Sequence, residues 1–144
     1  LIVTGVGPTL AEISDHPLLP GRQYRMFLSQ SGRMKMNVLE INLVCEEGAT
    51  FRQGTNSRTE TRDVYRQTLL RRENFEIRGG EPLEAEFSLD VPDRAMHSFK
   101  AAHNQIQWKI AVRGDAQDRS DFERTFTVIV QPGDTAAPDQ GASS

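Results

Sequence analysis

The sequence has little of what metal sites, disulfide frameworks and membrane segments need. It contains one cysteine, so it can form no intramolecular disulfide and no cluster of thiolate ligands. It contains three histidines, which are His16, His97 and His103. No apolar run approaches the ~20 residues of a membrane-spanning helix, and no signal peptide is visible. We therefore expect no metal, no cofactor and no direct membrane insertion of this chain.

An excess of charge of one sign is also missing. The 17 basic and 20 acidic residues leave a formal net charge of -3, so we expect neither nucleic acid nor an anionic membrane as a partner. The single thiol fits a reducing compartment, which favours the cytoplasm. The soluble part of a membrane-anchored protein is the alternative location. Because the chain begins at Leu1 rather than at methionine, we expect it to be part of a longer chain.

Alternation of apolar and polar residues is the dominant pattern, and it predicts β-strands. The run from Leu83 to Val91 is the clearest, with apolar residues on one face and acidic residues on the other. The predicted strands cover 9–14, 23–29, 39–45, 83–91, 106–112 and 126–130. This spacing predicts an all-β, antiparallel sandwich of the immunoglobulin-like type. We expect residues 1–132 to form one such domain and residues 133–144 a flexible tail or linker.

The alternating sets also predict which residues form the core. Trp108 lies among isoleucines in its strand and is expected to be a buried anchor. Ser31-Gly32 has turn chemistry and predicts a hairpin between the second and third strands. We further expect three residues of the third strand, which are Leu39, Ile41 and Leu43, to face the opposite sheet. There they should pack against four large apolar residues, which are Phe87, Leu89, Ile106 and Trp108.

The residues that carry chemistry do not form a known catalytic or metal-binding pattern. His97 and His103 lack the spacing of a ligand motif, and Ser98 has no nucleophile elbow around it. Cys45 lies on the apolar side of its strand and is expected to be a small buried hydrophobe. Glutamates and aspartates of the 83–91 strand share one face, which is typical of a solvated sheet surface. We therefore predict that the protein is not an enzyme.

The segment 50–72 is long and polar, and it predicts an extended hairpin at a sheet edge. Arg58, Arg62 and Arg66 recur at even intervals, so we expect them to share one face of an extended strand. Such a row protects an edge from indiscriminate strand pairing. It can also select an acidic partner through bidentate contacts with carboxylates. We take these arginines as a candidate partner-binding edge, for either self-association or an acidic segment.

The stretch from Gly80 to Val130 resembles the arrestin-like clan. The resemblance lies in an apolar-Pro pair at Val91-Pro92, a Ser-Phe element at Ser98-Phe99, and the apolar-x-aromatic-x-apolar strand 106–110. Upstream, Leu19-Pro20-Gly21 is similar to the Pro-Gly-led strand of that family. The resemblance implies an immunoglobulin-like sandwich. The core positions that it implies are Phe87, Pro92, Phe99, Ile106 and Trp108.

The resemblance implies a function in protein–protein interaction, as an adaptor or scaffold without catalysis. The alternative is a sandwich of an exported protein that binds carbohydrate or another small ligand. Exposed aromatic residues on one concave face would favour that alternative.

Overall fold

The protein is built from β-strands in every part that the structure describes. The computed structural model describes residues 2–6 as backbone and residues 9–133 with their side chains, and neither range contains a helix. The all-β prediction is confirmed. The strands are β1 (Ile2–Val6), β2 (Thr9–Ile13), β3 (Gln23–Gln30), β4 (Met34–Gln53), β5 (Asn56–Ile77), β6 (Leu83–Asp90), β7 (Phe99–Lys100), β8 (Asn104–Ala116) and β9 (Phe122–Val128).

The strands form two sheets in which all neighbours are antiparallel. The first sheet has the order β1-β2-β3-β6, and the second has the order β5-β4-β8-β7. β9 also belongs to the second sheet, because it pairs with β8 alongside β7. The predicted tail 133–144 lies outside the described residues except for Gly133, so its separation from the domain 1–132 stays a prediction.

The core lies between the sheets and takes every second side chain of the strands. In β3, Tyr24 and Met26 are buried while Arg25 between them is exposed. In β4, Leu39 and Ile41 are fully buried. Burial of one such large side chain contributes about 1.5–3 kcal/mol, so the inner faces hold the two sheets together.

Trp108 is the buried anchor that the sequence predicts. Its side chain is 2% exposed, and its indole N–H donates a hydrogen bond of 2.7 Å to the carbonyl of Met96. The ring of Tyr65, from β5, lies 5.7 Å from it between centroids. The indole is therefore buried with its one polar group satisfied, as a stable core requires.

Ser31-Gly32 does not close a hairpin, so that prediction is wrong. β3 lies in the first sheet and β4 in the second, and the chain crosses between the sheets at this turn. The reason is that β3 already pairs with β2 on one side and with β6 on the other. No edge of β3 is left for β4 to join.

Two predictions about the core are also corrected. Ile106 and Trp108 do not face β4 across the sandwich, because β8 is hydrogen-bonded directly beside β4, with Trp108 opposite Cys45. Only the β6 part of that set, which includes the buried Leu89, lies in the facing sheet. Phe99 is not a core residue, since its side chain is 42% exposed at the end of the second sheet.

The predicted long hairpin exists and is longer than expected. β4 and β5 pair from Met34 opposite Ile77 to Gln53 opposite Asn56. A two-residue turn joins them, and Gly54 at its first position has a φ of 62°. This is the left-handed conformation that glycine adopts in tight hairpin turns. β5 forms one edge of the second sheet, as predicted.

Candidate protein-interaction edge

The N-terminal part of β5 is an unpaired edge of the second sheet within the described residues. β5 pairs with β4 on one side, and its other side has no strand neighbour among the described residues. Every residue from 56 to 64 is exposed. We call residues 56–64 the open edge. Such an edge presents backbone N–H and C=O groups that another chain can pair with.

The hydrogen-bond register shows which backbone groups point outward from the open edge. The N–H of Thr50 donates to the carbonyl of His103 at 2.8 Å, so the backbone of Thr50 does not bond to that of Thr59 opposite it on β5, and only their hydroxyl groups bond, at 3.0 Å. In an antiparallel ladder, bonded and non-bonded pairs alternate. The outward-pointing groups of the open edge are therefore those of Ser57, Thr59, Thr61 and Asp63.

The three candidate arginines lie on β5, and each forms an ion pair within the chain. Arg58 binds Glu60 at 3.1 Å, Arg62 binds Glu47 at 3.1 Å, and Arg66 binds Asp63 at 2.9 Å. All three arginine side chains are more than half exposed. Exposed pairs of this kind contribute about 0–1 kcal/mol. The arginines can therefore exchange their present partners for others at little cost.

The expectation that all three share one face is wrong. Arg62 pairs with Glu47, and Arg66 pairs with Asp63, which lies opposite Glu46. Glu46 and Glu47 are neighbours on β4, so they point to opposite faces of the sheet.

The physical reason is a β-bulge at Val64. Tyr65 lies opposite Cys45 and Asp63 lies opposite Glu46, which leaves Val64 as an extra residue on β5. An extra residue shifts the alternation by one. Arg58 and Arg62 therefore share the face that continues the core side, while Arg66 lies on the outer face.

The end of the hairpin projects beyond the rest of the second sheet. β8 accompanies β4 only as far as Ala49, opposite Asn104. Thr50 still bonds to the carbonyl of His103, and the three residues from Phe51 to Gln53 pair with β5 alone, which corresponds to an arm of about 10 Å. We call residues 50–59 the ribbon. Its only apolar side chain is Phe51, which is 45% exposed and has the guanidinium of Arg58 5.9 Å from its ring centroid.

Gln67 marks where the open edge ends. Its side-chain amide donates to the carbonyl of Asp90 at 3.0 Å, and its Oε1 accepts from the N–H of Asp90 at 3.5 Å. The same nitrogen donates to the hydroxyl of Tyr65 at 2.7 Å. The amide of Gln67 thus both donates to and accepts from the backbone of β6, as the backbone of a neighbouring strand would. These bonds connect the second sheet to the first on this side.

A groove lies at the edge of the second sheet opposite to β5, between β7 and β9, which both pair with β8. Its volume is about 420 Å³. Phe99 and Ile129 line it and are 42% and 44% exposed. Lys100 adds one cation, and Ser98 and Thr127 add hydroxyl groups. The groove is a second surface with both apolar and polar binding groups.

Two of the remaining chemical candidates, His16 and Ser98, accept hydrogen bonds from the backbone. His16 accepts a hydrogen bond from the N–H of Ile129 at 3.0 Å, and the hydroxyl of Ser98 accepts one from Val130 at 3.0 Å. Burial, and to a smaller extent the nearby carboxylates led by Glu47, raise the pKa of the Cys45 thiol to about 11. Within residues 9–133, no group of three or more histidine, cysteine, aspartate or glutamate side chains could hold a metal ion.

The structure also brings together two carboxylates that the sequence analysis did not single out. A hydrogen bond between Asp115 and Asp121 raises the pKa of Asp121, and their mutual repulsion raises it as well. Arg113 lowers it in part.

Comparison with known proteins identifies a similar fold but no family. No protein-family model and no curated protein matches the chain. Among solved structures, the chain is similar to Spo0M, a sporulation control protein from Bacillus subtilis, with 12% sequence identity and a TM-score of 0.64. The fold is arrestin-like. The similarity covers 89% of this chain and 50% of the Spo0M chain, so this chain spans half of that protein's length.

The arrestin-like fold agrees with the resemblance carried by residues 80–130. At 12% identity the similarity shows the fold alone. As to membranes, no helix within the described ranges is both long enough and apolar enough to cross one.

Proposed function

We propose that the protein is a non-enzymatic interaction module of the arrestin-like type, acting as an adaptor or scaffold through the open edge and the ribbon. The observation that carries this proposal is the long β4–β5 hairpin, which continues past the sandwich with one side of β5 exposed. A strand edge with outward backbone groups binds extended segments of other proteins by strand addition.

The side chains of this region support the same proposal. The ribbon pairs an exposed aromatic ring, Phe51, with an arginine, Arg58. Aromatic residues and arginine are the types most enriched where interfaces derive their binding energy. The ribbon also holds no part of the core, so its residues are available to a partner without cost to folding.

A photoreactive phenylalanine analogue at position 51 tests the proposal. The matched control carries the analogue at Leu10, which is 37% exposed on the first sheet. Cross-linking in cells that produce the protein should give a discrete protein adduct from position 51 and none from position 10. Equal cross-linking from both positions, or adducts from position 10 alone, would place the interaction surface elsewhere.

The second candidate function is binding of a small ligand, and the groove between β7 and β9 favours it. A volume of about 420 Å³ is in the range of small-molecule sites. An exposed aromatic residue at its rim, Phe99, provides a surface on which an apolar ligand or a sugar ring can pack.

Binding in the groove can be measured by nuclear magnetic resonance with soluble oligosaccharides and small apolar carboxylic acids. A ligand in the groove should shift the signals of residues 99 and 129, and Phe99→Ala should abolish the shift. Phe51→Ala is the control, since position 51 lies on the ribbon and should leave the shift unchanged.

A further inference from the structure

The open edge has the geometry and the charge pattern to pair with itself. We propose that it binds a second copy of this chain, strand to strand and antiparallel, in a register centred on Thr61. This inference rests on the proposed function, because it names the partner of the same edge. It follows from the hydrogen-bond register of β5 and from the order of charges along it.

The backbone groups fit this register. A two-fold axis at Thr61 places Thr61 opposite Thr61 of the second copy and Thr59 opposite Asp63. These are residues whose N–H and C=O groups point outward from β4, as the bond from Thr50 to His103 establishes. Each facing pair can therefore exchange both backbone hydrogen bonds without any change in the β4–β5 ladder.

The charges fit the same register. Glu60 of one copy lies opposite Arg62 of the other, and the symmetry makes this contact twice. Opposite charges directly across an antiparallel pair are stabilising, and like charges are destabilising. Both side chains are well exposed, at 58% for Glu60 and 77% for Arg62, so they can reach across.

The contact would extend two ion pairs already present. Glu47 holds Arg62 at 3.1 Å and Arg58 holds Glu60 at 3.1 Å. Cross-strand pairing joins these into an alternating series of four charges, from Glu47 and Arg62 of one copy to Glu60 and Arg58 of the other. A register centred on Thr59 places Arg58 opposite Glu60, which duplicates a pair made within each chain and gives Arg62 no carboxylate.

The ladder has a defined end on each side. The bulge at Val64 interrupts the alternation just beyond Asp63, and the turn at Gly54 ends the hairpin on the other side. The interface is therefore short, and we expect a reversible dimer whose population rises with concentration. The bulge also prevents the pairing between the two copies from extending along the remainder of β5.

Charge reversal at the two central positions tests both the dimer and its register. Arg62→Glu places Glu60 opposite a glutamate, and Glu60→Arg places Arg62 opposite an arginine. Each variant alone should self-associate at least about tenfold more weakly than the parent protein in sedimentation equilibrium. An equimolar mixture of the two variants restores both opposite-charge contacts, so it should form heterodimers at the parental affinity.

A proline variant tests the backbone contacts without changing any charge. The N–H of Thr61 points outward, and proline is tolerated at such positions of an edge strand. Thr61→Pro should therefore keep the circular dichroism of the parent and lose self-association. Thr55→Pro, in the hairpin turn, is outside the contact and serves as the matched control, with its fold checked in the same way.

Several results would overturn the inference. A parent protein that stays monomeric at every concentration would do so, and so would an Arg62→Glu variant that dimerises normally. A mixture of the two variants that stays monomeric would exclude the Thr61 register. The cross-linking at position 51 is a separate measurement whose result does not depend on these outcomes. A failure of the dimer can therefore be distinguished from a failure of the interaction function.

Discussion

The β4–β5 hairpin runs through two different environments, although its strands stay paired along their whole length. In its first half, the inner face carries Leu43 and Cys45, which are buried against the opposite sheet. In its second half, the same face carries Glu47 opposite Arg62 and then Phe51 opposite Arg58. Both halves are antiparallel pairs, with register shifts at Ile41/Asn42 and at Cys45/Glu46, and they differ most in the side chains of this face.

The difference shows what decides whether a pair of strands belongs to a core or to an arm. Tyr65 is the last large side chain that β5 packs against the core, and its ring lies 5.7 Å from that of Trp108. Beyond them the inner face is charged, so it cannot be covered by an apolar sheet without a large desolvation cost. The ladder hydrogen bonds hold the ribbon together, while the apolar contacts hold the sandwich together.

The largest expected effect is the loss of stability when a buried aromatic ring is removed, compared with the loss when an aromatic ring of the ribbon is removed. Trp108→Ala should lower the free energy of unfolding by about 3–5 kcal/mol, because it leaves a cavity and removes the hydrogen bond to Met96. Phe51→Ala should lower it by less than about 1 kcal/mol, because that ring is 45% exposed. Urea denaturation of both variants measures the contrast. Equal losses would mean that the ribbon contributes to the core after all.

A second prediction concerns the pH dependence of the buried half. Burial raises the pKa of Cys45 from 9.0 to about 11, so between these values the unfolded chain releases a proton that the folded chain keeps. Stability should therefore fall by about 2–3 kcal/mol across this interval as pH rises, and change no further from this group above it.

The control for this effect is Cys45→Ala, which lacks the thiol. Subtracting its stability curve from that of the parent protein isolates the cysteine from the lysines and tyrosines that titrate at similar pH. The native thiol should also react with a disulfide reagent far more slowly than the denatured chain. Parallel stability curves for the two proteins, or rapid labelling of the native state, would contradict the burial of this side chain.

The smallest effect is expected at the boundary between the open and the covered parts of β5. Gln67→Ala removes the side-chain bonds to Asp90 and to the hydroxyl of Tyr65, so we expect a loss of about 1–2 kcal/mol. Gln107→Ala is the matched control, since that amide makes one longer bond of 3.3 Å to Thr127. If both variants lose the same stability, Gln67 does not tie the sheets together.

The fold could be predicted from the sequence to the extent that each strand has one apolar face. The 83–91 and 106–112 runs alternate cleanly, and both are strands with a buried side. Alternation identifies the inner face, but it carries no information about which strand lies beside which. This is why Ile106 and Trp108 were expected across the sandwich from β4, when they lie next to it.

The candidate edge could be located from the sequence, but its faces could not. The bulge at Val64 involves no glycine or proline, and counting by twos along the chain cannot detect one extra residue. The order Thr59-Glu60-Thr61-Arg62 does carry a signal, since hydroxyl and charged residues alternate with no apolar face. That pattern is typical of a strand pair exposed on both sides. Phe99 was assigned to the core by resemblance, because a phenylalanine in a strand does not reveal whether anything covers it.

The length of the projecting ribbon can change without affecting the stability of the sandwich, because the ribbon contributes no side chain to the core. Its residues come in facing pairs, such as Arg52 opposite Ser57, so removing two successive pairs would shorten the arm by about 7 Å and leave every remaining side chain on its own face. Adding two pairs would lengthen it by the same amount. The length of the ribbon can therefore change in steps of two residue pairs, while the sandwich that carries it stays the same.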